Sequence, residues 1–469
     1  MVSRKLLKVL PAVANQPELL SHLIHELMSF DTSLREEWLY DGGRGDDGWK
    51  GLSWDVLVKH SWFSRWLTVE KDFALRRYED ILEAPESFEI DRDSDSSTTS
   101  KPTFAAIRVN DLLEAVTEDY RPLMSFHQRI QFLIDIQMAI FDLFYNRLND
   151  ALIAFQQHTS AVGRIQGASR ETQAELLGIG GLERLCRVYG SAEYLEGKMR
   201  DWSDDVFFVE LWDELQSRVR GSTSGKTIAG EMNAAQLAER TSNELASDDD
   251  SGSLFDETTA TYRRLRIRAE DAIQNKLIFG VRETLRPYRK VGSWNVAHNS
   301  SFASLTPTAA LDGALAYLTE NLSFLSKVLA LASFRRIGRQ LTLAIQNFIW
   351  DKVIIREVFS TVGAAQLRKD VETIITIGDR YLGTGQTQRG LGRLQEALLL
   401  LELPDERTGQ RDDDLDDLGD GVRVSLWEVE RGIFENNESA RQTLEELGVF
   451  ELNASDARDV LRRRTELQD

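Results

Sequence analysis

The sequence predicts an all-α protein, an elongated stack of antiparallel helical bundles with no significant sheet. Apolar residues recur at steps of three and four along most of the chain, which is the spacing of one helix face. Alternation with period two, the pattern of a half-buried strand, is nowhere sustained, and no βαβ spacing appears. Short polar turns separate the helical segments, so successive helices are expected to pack against one another.

The chain has 469 residues and a formal net charge of −20. Because a single core stops growing beyond roughly 250–300 residues, several cores are expected. The acidic balance argues against general nucleic-acid binding, which needs a broad basic surface. No apolar run reaches the roughly 18 residues that span a bilayer, so any membrane role should be peripheral or through a partner. The single cysteine, Cys186, excludes an internal disulfide framework and fits a reducing compartment.

The N-terminal segments alternate helices with polar loops. Residues 17–30 form an amphipathic pattern with Pro17 in a first-turn position. A second pattern spans residues 54–82, in which Trp62 and Trp66 lie one turn apart and are expected in the core. Pro122 is predicted to separate a helix over 111–120 from a long helix over 126–155.

A helical hairpin over residues 178–219 is the clearest element. Its helices are predicted over 182–199 and 206–219, with Ser203 as the N-cap of the second helix and Asp204 and Asp205 in its first turn. Both apolar stripes need a partner, so the prominent residues are interpreted as packing residues. This structural signature consists of Leu182, Leu185, Tyr189, Trp202, Phe207, Leu211, Trp212 and Leu215.

The C-terminal half continues the alternation of helix and turn. The sequence predicts a long helix over 255–287, two adjoining helices over 311–359, and further helices over 364–381 and 391–403. Closing helices follow over 424–434, 439–447 and 455–467, the last two with Ser439 and Ser455 at the cap positions. The predicted division is 1–90, an N-terminal helical segment; 91–102, a disordered linker; 103–220, a central bundle; 221–252, a flexible insert; 253–404, a C-terminal bundle; 405–422, an acidic linker; and 423–469, the closing helices.

Three motifs invite a chemical reading that their spacing does not support. Residues 221–227 resemble a phosphate-binding loop, but only three residues separate the glycines and the loop follows a helix. His22 and His25 are three apart, where zinc-protease motifs place histidines four apart, and the sequence offers no evident third ligand. Residues 412–417 lack the glycine of a calcium loop. No catalytic, cofactor-binding or metal-binding residue is therefore predicted.

Residues 181–218, GLERLCRVYGSAEYLEGKMRDWSDDVFFVELWDELQSR, resemble the RINT/TIP family of vesicle-tethering subunits. Shorter segments in the same order extend the resemblance over nearly the whole chain: 132–137, 255–258, 321–325, 332–335, 363–366, 425–430 and 437–441. The resemblance implies the helical-rod fold of tethers and no catalytic residues. It implies a non-enzymatic subunit of a Dsl-type (NRZ-type) complex on the cytoplasmic face of the endoplasmic reticulum (ER), capturing COPI vesicles from the Golgi.

The partners implied by the resemblance are the N-terminal region of an ER SNARE and the sister subunits of the complex. The N-terminal coiled coil that pairs with a sister subunit in the family is expected to be missing here, because Met1 falls close to the start of the rod. Two alternatives remain open: a helical adaptor in cell-cycle or DNA-damage checkpoint control, and a nucleotide-binding protein acting through Lys226 in the 221–227 loop.

Overall fold

A computed structural model describes residues 2–40, 49–93, 98–159, 176, 178–221, 227–229, 232–233, 237, 240–241, 252–292, 294–295, 306–405 and 424–468. Regular structure in these residues is almost entirely helical, which confirms the all-α prediction. The chain forms two compact units: unit 1 is Met1–Ala168 with Glu183–Ala269, and unit 2 is Ser169–Leu182 with Glu270–Asp469. The finer seven-part division stays a prediction.

Among the described residues, unit 1 contains eight whole helices, most of another and the beginning of one more. They are α1 Val2–Val13, α2 Pro17–Glu36, α3 Leu52–Trp54, α4 Phe63–Glu83, α5 Phe104–Tyr120, α6 Phe126–Phe132, α7 Ala139–Thr159, α8 Ile179–Ser203, α9 Val206–Gly221 and α10 Asp256–Thr284. The first residues of α8 and the last part of α10 are assigned to unit 2. Pro17 lies in the first turn of α2, as predicted.

The helix predicted over 54–82 is interrupted, so that prediction was wrong in its continuity. A π-helical segment, Asp55–Lys59, follows α3, and Ser61 has a positive φ of 58° before α4 begins. Before the break, at the start of α3, Leu52 N and Ser53 N donate to the buried carboxylate of Asp31 in α2, both at 2.8 Å. Trp66 is fully buried as predicted, whereas its neighbour Trp62 is only half-buried.

The long helix predicted over 126–155 is present, with a π-helical segment Leu133–Met138 between α6 and α7. The π-helical segment contains Gln137, whose buried side chain forms two hydrogen bonds. It donates to Leu113 O at 3.0 Å and accepts from Tyr120 Oη at 2.5 Å. Because each buried amide atom gains a partner, the π segment costs little in unsatisfied polar groups.

A small antiparallel sheet lies within the segment predicted as a flexible insert. It pairs β1 Thr227–Ala229 with β2 Met232–Asn233. These five residues form the one sheet of the part of the chain that the structure describes, so it changes the fold class little. Of the two other predicted linkers, residues 406–422 and 94–97 lie outside the described residues, whereas 91–93, 98–102 and 405 are described.

Unit 2 contains the remaining helices, at bounds close to those predicted. They are α11 Asp312–Val328, α12 Leu331–Ile349 with the π-helical Trp350–Ile354, α13 Thr361–Leu382, α14 Gln386–Gly390, α15 Gly392–Leu401, α16 Leu426–Glu435, α17 Asn437–Glu446 and α18 Ala454–Leu461. Short 3₁₀ turns occur at Tyr288–Lys290, Ala309–Leu311 and Thr465–Leu467.

Two of the predicted caps in unit 2 were wrong. The N-cap of α17 is Asn436, whose side chain accepts from Ser439 N, and the N-cap of α18 is Asn453, which accepts from Asp456 N. Both asparagines precede the predicted serines and have the extended backbone that a cap requires. Ser425 forms a complete capping box with Glu428 at the start of α16.

The C-terminal end of unit 2 is fixed by a buried arginine. Arg464 donates to the carbonyl oxygens of Leu401 at 2.6 Å and Leu403 at 2.8 Å and pairs with Glu466 at 2.9 Å. Burial alone would raise the pKa of Glu466, but the hydrogen bond from Arg464 lowers it below its usual range. These contacts hold the chain terminus against the end of α15.

Candidate functional site

The hairpin of α8 and α9 turns at Asp204 and Asp205. Asp205 is the residue that caps α9, since its carboxylate accepts from Phe207 N at 2.8 Å. Ser203 is still part of α8 and donates to Met199 O at 2.8 Å. The prediction of Ser203 as the N-cap was therefore wrong, because α8 continues one turn further than its apolar pattern indicated.

All eight signature residues of the hairpin lie inside the protein. The most exposed is Trp202, at 9%; the others are Leu182, Leu185, Tyr189, Phe207, Leu211, Trp212 and Leu215. Trp202 stacks on Phe208 with ring centroids 6.0 Å apart, and both rings meet Phe255 edge-on at 5.7 and 4.9 Å. Such contacts add to the burial of apolar area. These side chains fix the shape of the hairpin and present nothing to a partner.

A buried carboxylate joins the hairpin to α10. Glu196 of α8, with a side chain 3% exposed, accepts from Arg263 at 3.1 Å, from Arg266 at 2.7 Å and from Arg200. Burial lowers the pKa of Arg266, but the hydrogen bond and charge of Glu196 outweigh this effect and raise it. Three guanidinium groups thus compensate one buried charge, which makes this cluster a structural connection.

The outer face of α9 differs from its inner face. Val206 is 70% exposed and Val209 41% exposed, and their three-residue spacing places them side by side on the helix. The exposed acidic residues Asp204, Glu210 and Asp213 surround them. We call these five residues the outer hairpin surface. It combines a small apolar centre with a charged rim, the composition of a helix-binding contact.

The turn of the hairpin also lines a cavity of about 570 Å³. Most of the residues that line it have polar or charged side chains, among them Arg200, Asp204, Ser253, Asp256 and Arg263. Two of these arginines already bind Glu196. A lining of this kind favours water over an apolar side chain of a partner.

Unit 2 also has an exposed apolar residue, Phe450, in a loop that is held by hydrogen bonds. Phe450, 78% exposed, lies in the loop between α17 and α18. The carboxylate of Glu396 accepts hydrogen bonds from the backbone nitrogens of Phe450, Glu451 and Leu452 at 2.8–3.0 Å. The loop is therefore held in one conformation with its aromatic ring in solvent, a geometry that suits a single anchoring contact.

The buried phenols of the two units act as hydrogen-bond donors. Burial raises the pKa of Tyr262 and Tyr288 well above the usual range. Tyr262 donates to Phe141 O at 2.8 Å, and Tyr288 donates to Asp370 Oδ2 at 2.7 Å. Phenols held protonated in this way stabilise the core and supply no phenolate nucleophile at neutral pH.

The structure places the residues of the motifs rejected in the sequence analysis in different environments. Cys186 is fully buried. Lys226 and residues 412–417 lie outside the described residues. His22 is exposed, whereas His25 lies beside Glu70 and Asp119, a grouping that sequence spacing did not reveal. The outer hairpin surface was also missed, since its valines follow the same helical period as the core residues.

Comparison with known proteins extends these observations. Residues 1–464 match the model of the RINT-1/TIP-1 family. The protein transport protein tip20 of Schizosaccharomyces pombe is 22% identical over 366 residues, which are 76% of this chain and 47% of that protein. The RINT1-like protein of Drosophila melanogaster is 20% identical over 458 residues, 97% of this chain and 52% of that protein. This chain thus spans about half the length of these two relatives.

A solved structure shares the fold. The crystal structure of the SNARE Sec20 bound to the Dsl1 complex subunit Tip20 matches with a TM-score of 0.65 and 19% identity, covering 98% of this chain and 68% of that one. Within the described residues, no helix has the length and apolar character needed to cross a bilayer.

Proposed function

Because this chain belongs to the RINT-1/TIP-1 family, we propose that it is a non-enzymatic subunit of an ER tethering complex that binds an ER SNARE. The family resemblance read from the sequence is thereby confirmed. The observation that carries the proposal is the shared fold with Tip20, which a crystal structure contains in complex with the SNARE Sec20. The proposed role is capture of COPI vesicles that return from the Golgi, at the cytoplasmic face of the ER, together with sister subunits of a Dsl-type complex.

The distribution of burial supports a binding role for the hairpin. Its inner face is committed to packing, so a partner must use what remains in solvent. We assign the SNARE contact to the outer hairpin surface. Val206 and Val209 would pack against apolar side chains of a SNARE helix. Asp204, Glu210 and Asp213 would form ion pairs with basic residues that flank those apolar side chains. The net charge of −20 would speed the approach of a basic segment at low salt.

A binding experiment tests this proposal. The purified chain is mixed with the cytosolic portions of ER SNAREs, each immobilised separately, and a Golgi SNARE of similar length serves as the negative control. Retention by one ER SNARE and not by the Golgi SNARE is expected. Retention by none of the ER SNAREs, with a helical circular-dichroism spectrum showing that the chain is folded, would overturn the proposal.

No feature of the described residues favours the checkpoint-adaptor alternative. The nucleotide-binding alternative depends on Lys226, which lies outside those residues. Nucleotide binding by the purified chain that is lost in Lys226→Ala would revive it, and localisation of a tagged chain to the nucleus would support the adaptor.

A further inference from the structure

Three helices of unit 1 bring a histidine and two carboxylates together. His25 of α2 places Nε2 3.8 Å from Glu70 Oε1 of α4 and 3.7 Å from Asp119 Oδ1 of α5. One ligand atom from each side chain lies within 4.8 Å of the other two. The three residues are separated by 45 and 49 positions in the sequence, so only the packing of the helices creates this group.

The group has a closed side and an open side. Glu70 is 8% exposed, and its Oε1 accepts from Trp66 Nε1 at 2.6 Å, which fixes the direction of the carboxylate. The ring of His25 meets Trp66 edge-on at 6.0 Å. On the other side, His25 and Asp119 line a solvent-accessible cavity of about 370 Å³, together with Glu36, Glu37 and Glu118. A metal ion could reach the group through this acidic cavity and retain water ligands on the side that faces the cavity.

The polar atoms of the group are not satisfied by one another. Nε2 of His25 is buried, and among the described residues it has no hydrogen-bond partner, because both carboxylate oxygens are too distant. No lysine or arginine of the described residues forms an ion pair with Glu70 or Asp119. Burial raises the pKa of Asp119 to about 6, opposed by the charge of His25 and reinforced by Glu70 and Glu118. Apart from His25, no positively charged side chain of the described residues pairs with these two carboxylates.

We propose that His25, Glu70 and Asp119 form a binding site for a divalent metal ion of the Zn²⁺ type, which joins α2, α4 and α5. A point equidistant from three atoms that lie within 4.8 Å of one another is at most about 2.8 Å from each. Zn²⁺ binds imidazole nitrogen and carboxylate oxygen at about 2.0–2.2 Å, so side-chain movements of less than about 1 Å complete the contacts. Water from the cavity supplies the fourth ligand.

The donor set favours this class of ion. An imidazole nitrogen suits Zn²⁺ and similar transition metals, whereas Mg²⁺ and Ca²⁺ prefer sites made wholly of oxygen ligands. The ligands must lose their protons on binding, so affinity should rise with pH. The site is independent of the proposed SNARE contact, which lies on α9.

Thermal unfolding of the tag-free, EDTA-treated chain tests the proposal. We expect Zn²⁺ to raise the melting temperature at pH 7.5 and to raise it less at pH 5.5, while Mg²⁺ at the same concentration has little effect. The Zn²⁺ shift should disappear in His25→Ala and in Asp119→Asn. His22→Ala is the matched control, since His22 is an exposed histidine on the same helix, and it should retain the shift.

Two outcomes would overturn the proposal. In one, Zn²⁺ leaves the melting temperature of the unaltered chain unchanged. In the other, Zn²⁺ shifts His25→Ala, Asp119→Asn and His22→Ala alike, which means that the metal binds elsewhere. Calorimetric titration keeps the test decisive if His25→Ala unfolds: the nearly isosteric Asp119→Asn chain must lose one Zn²⁺ per chain relative to the unaltered protein.

Discussion

The two faces of α9 differ in exposure to solvent, although apolar residues recur at steps of three or four on both. On the inner face, Phe207, Leu211 and Leu215 are at most 7% exposed. On the outer face, Val206 and Val209 lie in solvent among carboxylates. Two adjacent apolar residues, such as Val206 and Phe207, can therefore differ completely in burial. The packing of the neighbouring helices decides which of them is buried.

The contrast teaches that the part of the hairpin that is recognisable in the sequence is distinct from the part proposed to bind a partner. The bulky residues that make the segment distinctive in the sequence are the ones that tertiary packing removes from solvent. Their loss should unfold the hairpin, whereas changes on the outer face should leave the fold intact and alter association. The first two substitutions below each compare a buried side chain with an exposed one of similar chemistry, and the last two change exposed residues.

The largest effect is expected from Phe207→Ala. The ring lies 5.6 Å from that of Tyr120 and 5.1 Å from that of Phe208, and its removal leaves a cavity. A loss of about 3–5 kcal/mol in the free energy of unfolding of unit 1 is expected. Chemical denaturation followed by circular dichroism measures it. Val206→Ala, the adjacent exposed position, should change this free energy by less than about 0.5 kcal/mol; equal effects would contradict the assignment of faces.

Glu196→Gln should follow with a loss of about 3 kcal/mol. The substitution keeps the volume but leaves three guanidinium groups without their buried counter-charge, and the half-exposed Arg200 and Arg263 keep the cost at the lower end of the range for broken buried pairs. The control is Glu210→Gln on the outer face of α9, which should be nearly neutral in the same denaturation experiment. An unchanged free energy of unfolding in Glu196→Gln would mean that the three arginines do not need this carboxylate as a counter-charge.

A smaller effect is expected from the helix cap in unit 2. Asn453→Ala removes the side-chain acceptor for Asp456 N and should cost about 1 kcal/mol. Ser455→Ala, the cap that the sequence pattern favoured, should cost less than half as much. Differential scanning calorimetry of the two variants distinguishes them, and a larger loss for Ser455→Ala would restore the sequence-based assignment.

The smallest effect on stability is expected from the double substitution Val206→Asp and Val209→Asp. Both side chains are already in water, and Val206 lies in the first turn of α9, where an added carboxylate interacts favourably with the helix dipole. The melting temperature should stay within about 2 °C of that of the unaltered chain. A drop comparable with that of Phe207→Ala would show that the outer hairpin surface belongs to the core.

The helical pattern could be predicted from the sequence because burial imposes a period on each helix. The break at Ser61 could not, since a positive φ at a serine has no glycine to announce it. The caps at Asn436 and Asn453 were missed because each segment offers both an asparagine and a serine as candidates.

The candidate sites were harder to predict than the helices. Val206 and Val209 share the period of the buried stripe, so sequence patterning cannot separate exposed apolar residues from core residues. The grouping of His25 with Glu70 and Asp119 depends on three helices meeting, and no local spacing encodes it. The sequence pattern drew attention only to His22 and His25, and of these two only His25 belongs to the group.

The most direct test of the account is a calorimetric titration of this chain with the ER SNARE that retains it. The unaltered chain is compared with the Val206→Asp, Val209→Asp chain, and Val206→Ala is the milder control. We predict binding by the unaltered chain and an affinity at least about tenfold lower, about 1.4 kcal/mol, for the folded double variant. Equal affinities of the two chains would contradict the claim that the outer face of α9 holds the SNARE.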